Sequence, residues 1–97
     1  MQYIIFGHLG EYTDKGIVGH KDEKTGMWTV SIYKLKMPQK TGDSWTLDDT
    51  EEKLCSLCFC TKESLDVFIK ALMLIRGNMG LEEMKVQNEN IGIGKRD

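Results

Sequence analysis

The segment from Leu54 to Ile75 most constrains the fold, because a strand-like pattern gives way there to a helical one. A β-type run ends at Thr61, and apolar residues then recur at spacings of three and four, which gathers them on one side of a helix. These residues are Leu65, Phe68, Ile69, Leu72 and Ile75. Thr61 suits an N-cap and Gly77-Asn78 a stop. The sequence therefore predicts a helix over about residues 62–76.

The residues before this helix carry strand and turn patterns. Residues 3–6 and 17–18 suggest a bent hairpin, and residues 27–36 form the clearest strand, with Trp28, Val30 and Ile32 predicted to face the core. Residues 21–26 read as a turn and 38–44 as a loop, with Trp45 in a short strand or as an anchor beneath that loop. Short connections favour antiparallel neighbours. The predicted class is α+β: a meander-like antiparallel sheet of three to five strands, with the long helix packed on one face.

Length and composition predict a single domain. The chain has 97 residues, of which 40% are hydrophobic and 29% charged, as in globular proteins. We expect the domain to cover residues 1–87 and residues 88–97 to form a loose tail, since the tail offers little to bury. The sequence shows no membrane-spanning run and no signal-peptide pattern, and its cysteine count is odd. These features predict a reducing, cytoplasmic location.

The cysteines and histidines do not follow the spacing of a metal site. Strand periodicity separates Cys55 from Cys58 and Cys60, and neither standard zinc spacing follows. The pattern favours small buried cysteines without metal, and His8 and His20 suit solvent-facing turns. No phosphate-binding glycine loop, nucleophile elbow or metalloprotease helix occurs in the sequence. We therefore expect a non-enzyme without a cofactor.

Acidic residues and apolar residues outside the main helical stripe favour protein binding. The acidic set lacks the glycine and spacing of a calcium loop. Its members are Asp48, Asp49, Glu51 and Glu52. Val67 and Leu74 lie away from the main stripe and suggest a second contact face, for a partner or a twin subunit. The leading hypothesis is a protein-binding module, an inhibitor or adaptor similar to accessory proteins of phages and mobile elements, which also forms a homodimer.

Two alternatives remain open. A single-stranded nucleic acid could stack on aromatic rings while lysines track its phosphates. The residues concerned are Tyr33, Lys34, Lys36, Lys40 and Trp45. Strands followed by a helix over residues 27–76 resemble the coactivator-type single-stranded-DNA-binding domains, which implies dimerisation through the helix. The net charge of −2 opposes nucleic-acid binding. The second alternative is an oligomer that binds a small ligand.

Overall fold

Three strands and one long helix make up the described part of the chain. The computed structural model describes the backbone of residues 3–96 and the side chains of residues 3–84. The elements are β1 (Tyr12–Lys21), β2 (Trp28–Lys40), a short 3-10 helix (Leu47–Asp49), β3 (Thr50–Phe59) and α1 (Lys62–Arg96). The sheet is antiparallel in the order β1-β2-β3, which confirms the α+β class and the meander. Contacts divide the chain into a sheet unit ending at Cys60 and a helical unit beginning at Thr61. The packing of the helix on the sheet stays a prediction.

The β1–β2 turn has the predicted position and chemistry. The Asp22 carboxylate accepts hydrogen bonds from the Thr25 amide at 2.9 Å and the Thr25 hydroxyl at 2.8 Å. Gly26 adopts a φ of 72°, which suits glycine, and donates its amide to the Asp22 carbonyl at 2.8 Å. The two Thr25 hydrogen bonds favour the ionised carboxylate and lower the pKa of Asp22.

The two ends of the predicted sheet differ from expectation. Residues 3–6 form no strand, since the chain bends at Gly7 (φ 84°) and Gly10 (φ 70°) and its ladder begins at Tyr12. Strand β2 runs on to Lys40 through Pro38, which the sequence places in a loop. The paired residues of β2 and β1 are interrupted between Lys34 and Gln39. Pro38 lies in this interruption, where its missing N–H group removes no hydrogen bond between the strands.

The sheet buries a different set of side chains from the one predicted. Trp28 is 62% exposed, whereas Thr29, Ser31 and Leu35 are 5%, 0% and 2% exposed. Trp28 opens β2 and pairs with the last residue of β3, so it lies at the end of the ladder. Ser31 lies between two neighbouring strands, which cover a small side chain more completely than a large one. The expectation that Trp28 belongs to the core was wrong.

Helix α1 begins where the sequence predicts and ends much later. The Ser64 amide donates to the Thr61 hydroxyl at 3.1 Å, which confirms the N-cap. The helix continues past Gly77-Asn78 to Arg96, so the predicted end near residue 76 was wrong, and residues 88–96 are helical where a loose tail is expected. A glycine inside a helix costs only about 1 kcal/mol relative to alanine, so Gly77 and Gly80 weaken the helix without ending it.

The main apolar stripe of α1 is only partly buried. Leu65 and Phe68 are half-buried. Ile69, Leu72 and Ile75 are 41%, 51% and 55% exposed. Their burial against the sheet stays a prediction. Among the described residues, no helix is both long and apolar enough to span a bilayer.

Candidate functional site

A hydrogen-bonded row of three polar side chains crosses the sheet, one from each strand. His20 Nε2 and Ser31 Oγ share a hydrogen bond at 3.0 Å, and Ser31 Oγ and Ser56 Oγ share another at 3.1 Å. The row explains how the sheet tolerates a fully buried serine, because its hydroxyl is satisfied on both sides. It also corrects the expectation that His20 is a simple solvent-facing turn residue, since this ring is half-buried.

Trp45 anchors the loop that joins β2 to the 3-10 helix. A Cβ atom added to Gly16 would lie 2.6 Å from Cε2 of Trp45, so the indole ring rests against this glycine. The centroid of the Tyr33 ring lies 5.7 Å from that of Trp45, and the two planes meet at 55°. Gly16 and Tyr33 are paired residues of β1 and β2, so strand pairing places the glycine and the tyrosine ring side by side where Trp45 contacts both. Of the two roles considered for Trp45, the structure confirms the anchor.

The anchored loop and the sheet border a surface cavity of about 630 Å³ that is open to solvent, which we call the Trp45 cavity. The sheet side supplies Ile17, Val18, His20 and Tyr33, and the other side is the loop at residues 42–47. The walls thus combine apolar and aromatic side chains with a few polar groups, as is typical of small-molecule sites. The sequence identified Tyr33 and Trp45 and predicted the loop before Trp45, but it did not show that this loop and the sheet border one cavity.

The structure brings together the aromatic part of the predicted nucleic-acid set but not its lysines. Lys34 is next to Tyr33 in β2 and therefore points to the opposite face of the sheet. Its Nζ atom forms an ion pair with Glu51 at 3.2 Å. Lys36 and Lys40 are exposed. A cation that the sequence did not single out, Lys53, has its Nζ 5.6 Å from the Tyr33 centroid, because a register shift between Ile32 and Tyr33 pairs it with Tyr33.

The predicted acidic loop is divided between two elements. Asp48 and Asp49 belong to the 3-10 helix, and Glu51 and Glu52 belong to β3. Asp49 accepts a hydrogen bond from the Thr46 amide at 2.8 Å, which caps the 3-10 helix. Glu51 pairs with a lysine across the ladder. Asp48 and Glu52 are exposed and form no ion pair within the described part of the chain.

In the structure, Leu81 joins Val67 and Leu74, the two helix residues predicted to form a contact face. Val67, Leu74 and Leu81 are 68%, 66% and 65% exposed. Residues seven apart lie almost on the same side of a helix, so the three form one apolar line, which we call the heptad stripe. Leu81 is absent from the predicted contact set because the predicted helix ends before that residue.

The cysteines are more accessible than expected. Cys55 is half-buried, but Cys58 and Cys60 are exposed, which corrects the expectation of buried thiols. They lie on or just after β3, an edge strand that has a neighbour on one side only. All three are free, and no cluster of three or more metal-ligating side chains occurs among the described residues.

Comparison with known proteins gives no relative, since no family model, curated protein or solved structure matches this chain.

Proposed function

We propose that this chain is a non-enzymatic protein-binding module whose contact element is the heptad stripe of α1. The proposal is supported mainly by the exposure of this stripe. Val67, Leu74 and Leu81 lie on one side of the helix, and their side chains are 68%, 66% and 65% exposed. Exposed apolar residues aligned on one side of a helix mark interaction sites more often than scattered single residues do. The acidic side chains of Asp48 and Glu52 offer a separate surface to a basic partner, as in an inhibitor or adaptor of the phage type.

The free energy available from the stripe favours a second copy as the partner. Full burial of a Val or Leu side chain contributes roughly 1.5–3 kcal/mol, so the exposed part of the stripe offers about 3–6 kcal/mol per helix. Association itself costs about 4–15 kcal/mol. A twofold axis lets one stripe cover another and doubles the gain. The doubled gain of about 6–12 kcal/mol overlaps the cost of association, which is compatible with a homodimer through α1.

The accessible chemistry of the sheet unit supports a binding role over catalysis. The hydrogen bond between His20 and Ser31 has the composition of an activated nucleophile, because a histidine can accept a hydroxyl proton. Ser31, however, is 0% exposed, and its hydroxyl also bonds Ser56. A substrate cannot reach this oxygen without opening the ladder, so we assign the pair a structural role.

Light scattering on two matched helix variants tests the proposal. The wild type should give about twice the 11.1 kDa chain mass at micromolar concentration. Leu74→Glu should shift the mass to that of one chain, because it puts a charge into the stripe. Met73→Glu is the control, since Met73 is also 66% exposed but lies about 100° around the helix. Circular dichroism checks that both variants stay helical. A monomeric wild type, or an equal response of both variants, would contradict self-association through this stripe.

Single-stranded nucleic-acid binding is a second candidate, favoured by the contact between Tyr33 and Trp45. Rings of this kind stack on bases irrespective of sequence. A fluorescence titration with a short oligonucleotide should then show affinity that falls steeply with salt and is lost in Lys53→Glu, since Lys53 lies beside the Tyr33 ring. The charge reversal Lys24→Glu, in the β1–β2 turn, is the control for net charge. An affinity that does not change with salt, or that neither substitution lowers, would refute this candidate.

A further inference from the structure

We propose that the Trp45 cavity binds a small organic cation, of the quaternary or methylated ammonium class. The cavity of about 630 Å³ falls within the range of small-molecule sites, roughly 300–1,000 Å³. It lies wholly in the sheet unit, so it does not depend on the role of α1.

The aromatic walls supply the attraction for a positive charge. Tyr33 and Trp45 form a corner, with ring planes at 55° and centroids 5.7 Å apart. The face of an aromatic ring carries partial negative charge, and a cation within about 6 Å of the centroid is attracted to it. Lys53, whose Nζ lies 5.6 Å from the Tyr33 centroid, does not line the cavity. Two adjoining rings are the core of the cages that recognise alkylated ammonium groups.

The charge of the cavity wall selects the sign of the ligand. With His20 counted as neutral, Asp43 is the one charged side chain among the described lining residues. It is exposed and forms no ion pair with any described residue. A carboxylate without a partner repels an anion such as a phosphate and attracts a cation. Methyl groups on that cation would suit the apolar wall formed by Ile17, Val18 and Leu47.

The site is held in place before any ligand arrives. Trp45 rests against Gly16, and the Asp43 amide donates to the Lys40 carbonyl at 3.0 Å, which fixes the turn that carries the carboxylate. The end of the loop is fixed as well, because the Thr46 amide donates to the Asp49 carboxylate. A preformed site loses less conformational freedom on binding, so a small ligand can bind with measurable affinity.

Choline and its uncharged isostere 3,3-dimethylbutan-1-ol separate charge recognition from shape recognition. We suggest titrating each into Trp28→Phe protein, in which Trp45 is the remaining tryptophan, and following its emission. Trp28 is 62% exposed, so its replacement should leave the fold intact. Choline should change the emission saturably, and the isostere should bind at least several-fold more weakly. Broadening of the choline methyl signal in proton NMR gives the same comparison with wild-type protein.

Two carboxylate variants complete the test. Asp43→Asn keeps the shape of the side chain and should weaken choline binding several-fold. Asp48→Asn is the control, because Asp48 is an exposed carboxylate that does not line the cavity. Equal binding of choline and its isostere, equal effects of the two variants, or no saturable signal would overturn the proposal. Displacement of choline by a short oligonucleotide would instead assign the rings to nucleic acid.

Discussion

The contact between Gly16 and Trp45 gives the sharpest stability prediction. Gly16→Ala puts a Cβ atom 2.6 Å from Cε2 of Trp45, whereas carbon atoms in good contact are about 3.5–4.0 Å apart. The ring must therefore move by about 1 Å or the strand must shift. Gly16 is not among the glycines with positive φ, so alanine meets no backbone strain there. The steric contact with the indole ring is thus the cost that the variant measures.

The expected loss is about 1–2 kcal/mol in the free energy of unfolding. Overpacking of a buried site costs about 1–3 kcal/mol. Replacing glycine by alanine also stabilises the protein by about 0.4–1 kcal/mol, because it lowers the conformational entropy of the unfolded chain. Gly19→Ala is the matched control, because Gly19 lies in the same strand and a Cβ atom there would meet nothing within 4 Å. This control should be neutral or slightly stabilising.

Urea unfolding followed by circular dichroism measures both variants. Emission of Trp45 in a Trp28→Phe background should also shift to the red in Gly16→Ala, as the indole ring moves toward water. Trp45→Phe, with its smaller ring, should remove part of the cost, so the double variant should be less unstable than the sum of the single ones. Equal unfolding free energies for Gly16→Ala and Gly19→Ala would refute the close contact of ring and strand.

Three further predictions follow from the sheet unit. Ser31→Ala should cost about 1 kcal/mol in urea unfolding, because both side-chain partners of the hydroxyl lose a hydrogen bond but can reach water; no loss would show that the polar row is not stabilising. In native protein under a thiol reagent, the two exposed cysteines should react before the half-buried Cys55, and simultaneous reaction would contradict this burial order. The lowered pKa of Asp22 means that its hydrogen bonds stabilise the fold above the unfolded-state pKa of about 4, and that this stability is lost as pH falls through the lower folded-state pKa. Asp22→Asn should therefore flatten the acid side of the stability profile, and an unchanged profile would refute the role of the Thr25 hydrogen bonds.

Part of the candidate surface could be recognised from the sequence, and part could not. Val67 and Leu74 stand out because helical periodicity is visible over any short window. Leu81 does not, since its place depends on whether the helix continues through Gly77, which local preference alone left undecided. Tyr33 and Trp45 stand out by residue type, but the sequence did not show that their rings meet or that Lys53 joins them.

The sequence by itself determined the elements whose causes are local. The turn at Asp22, the N-cap at Thr61 and the strand pattern from residue 28 each depend on residues within a few positions. Tertiary structure decided which face of β2 is buried, and it placed Trp45 against Gly16. Both outcomes depend on the register of the strands. The register decides which distant residues come into contact, such as Gly16 and Trp45, which are 29 positions apart. Local preference acts over too few residues to specify such a contact, so only the assembled sheet forms the cavity.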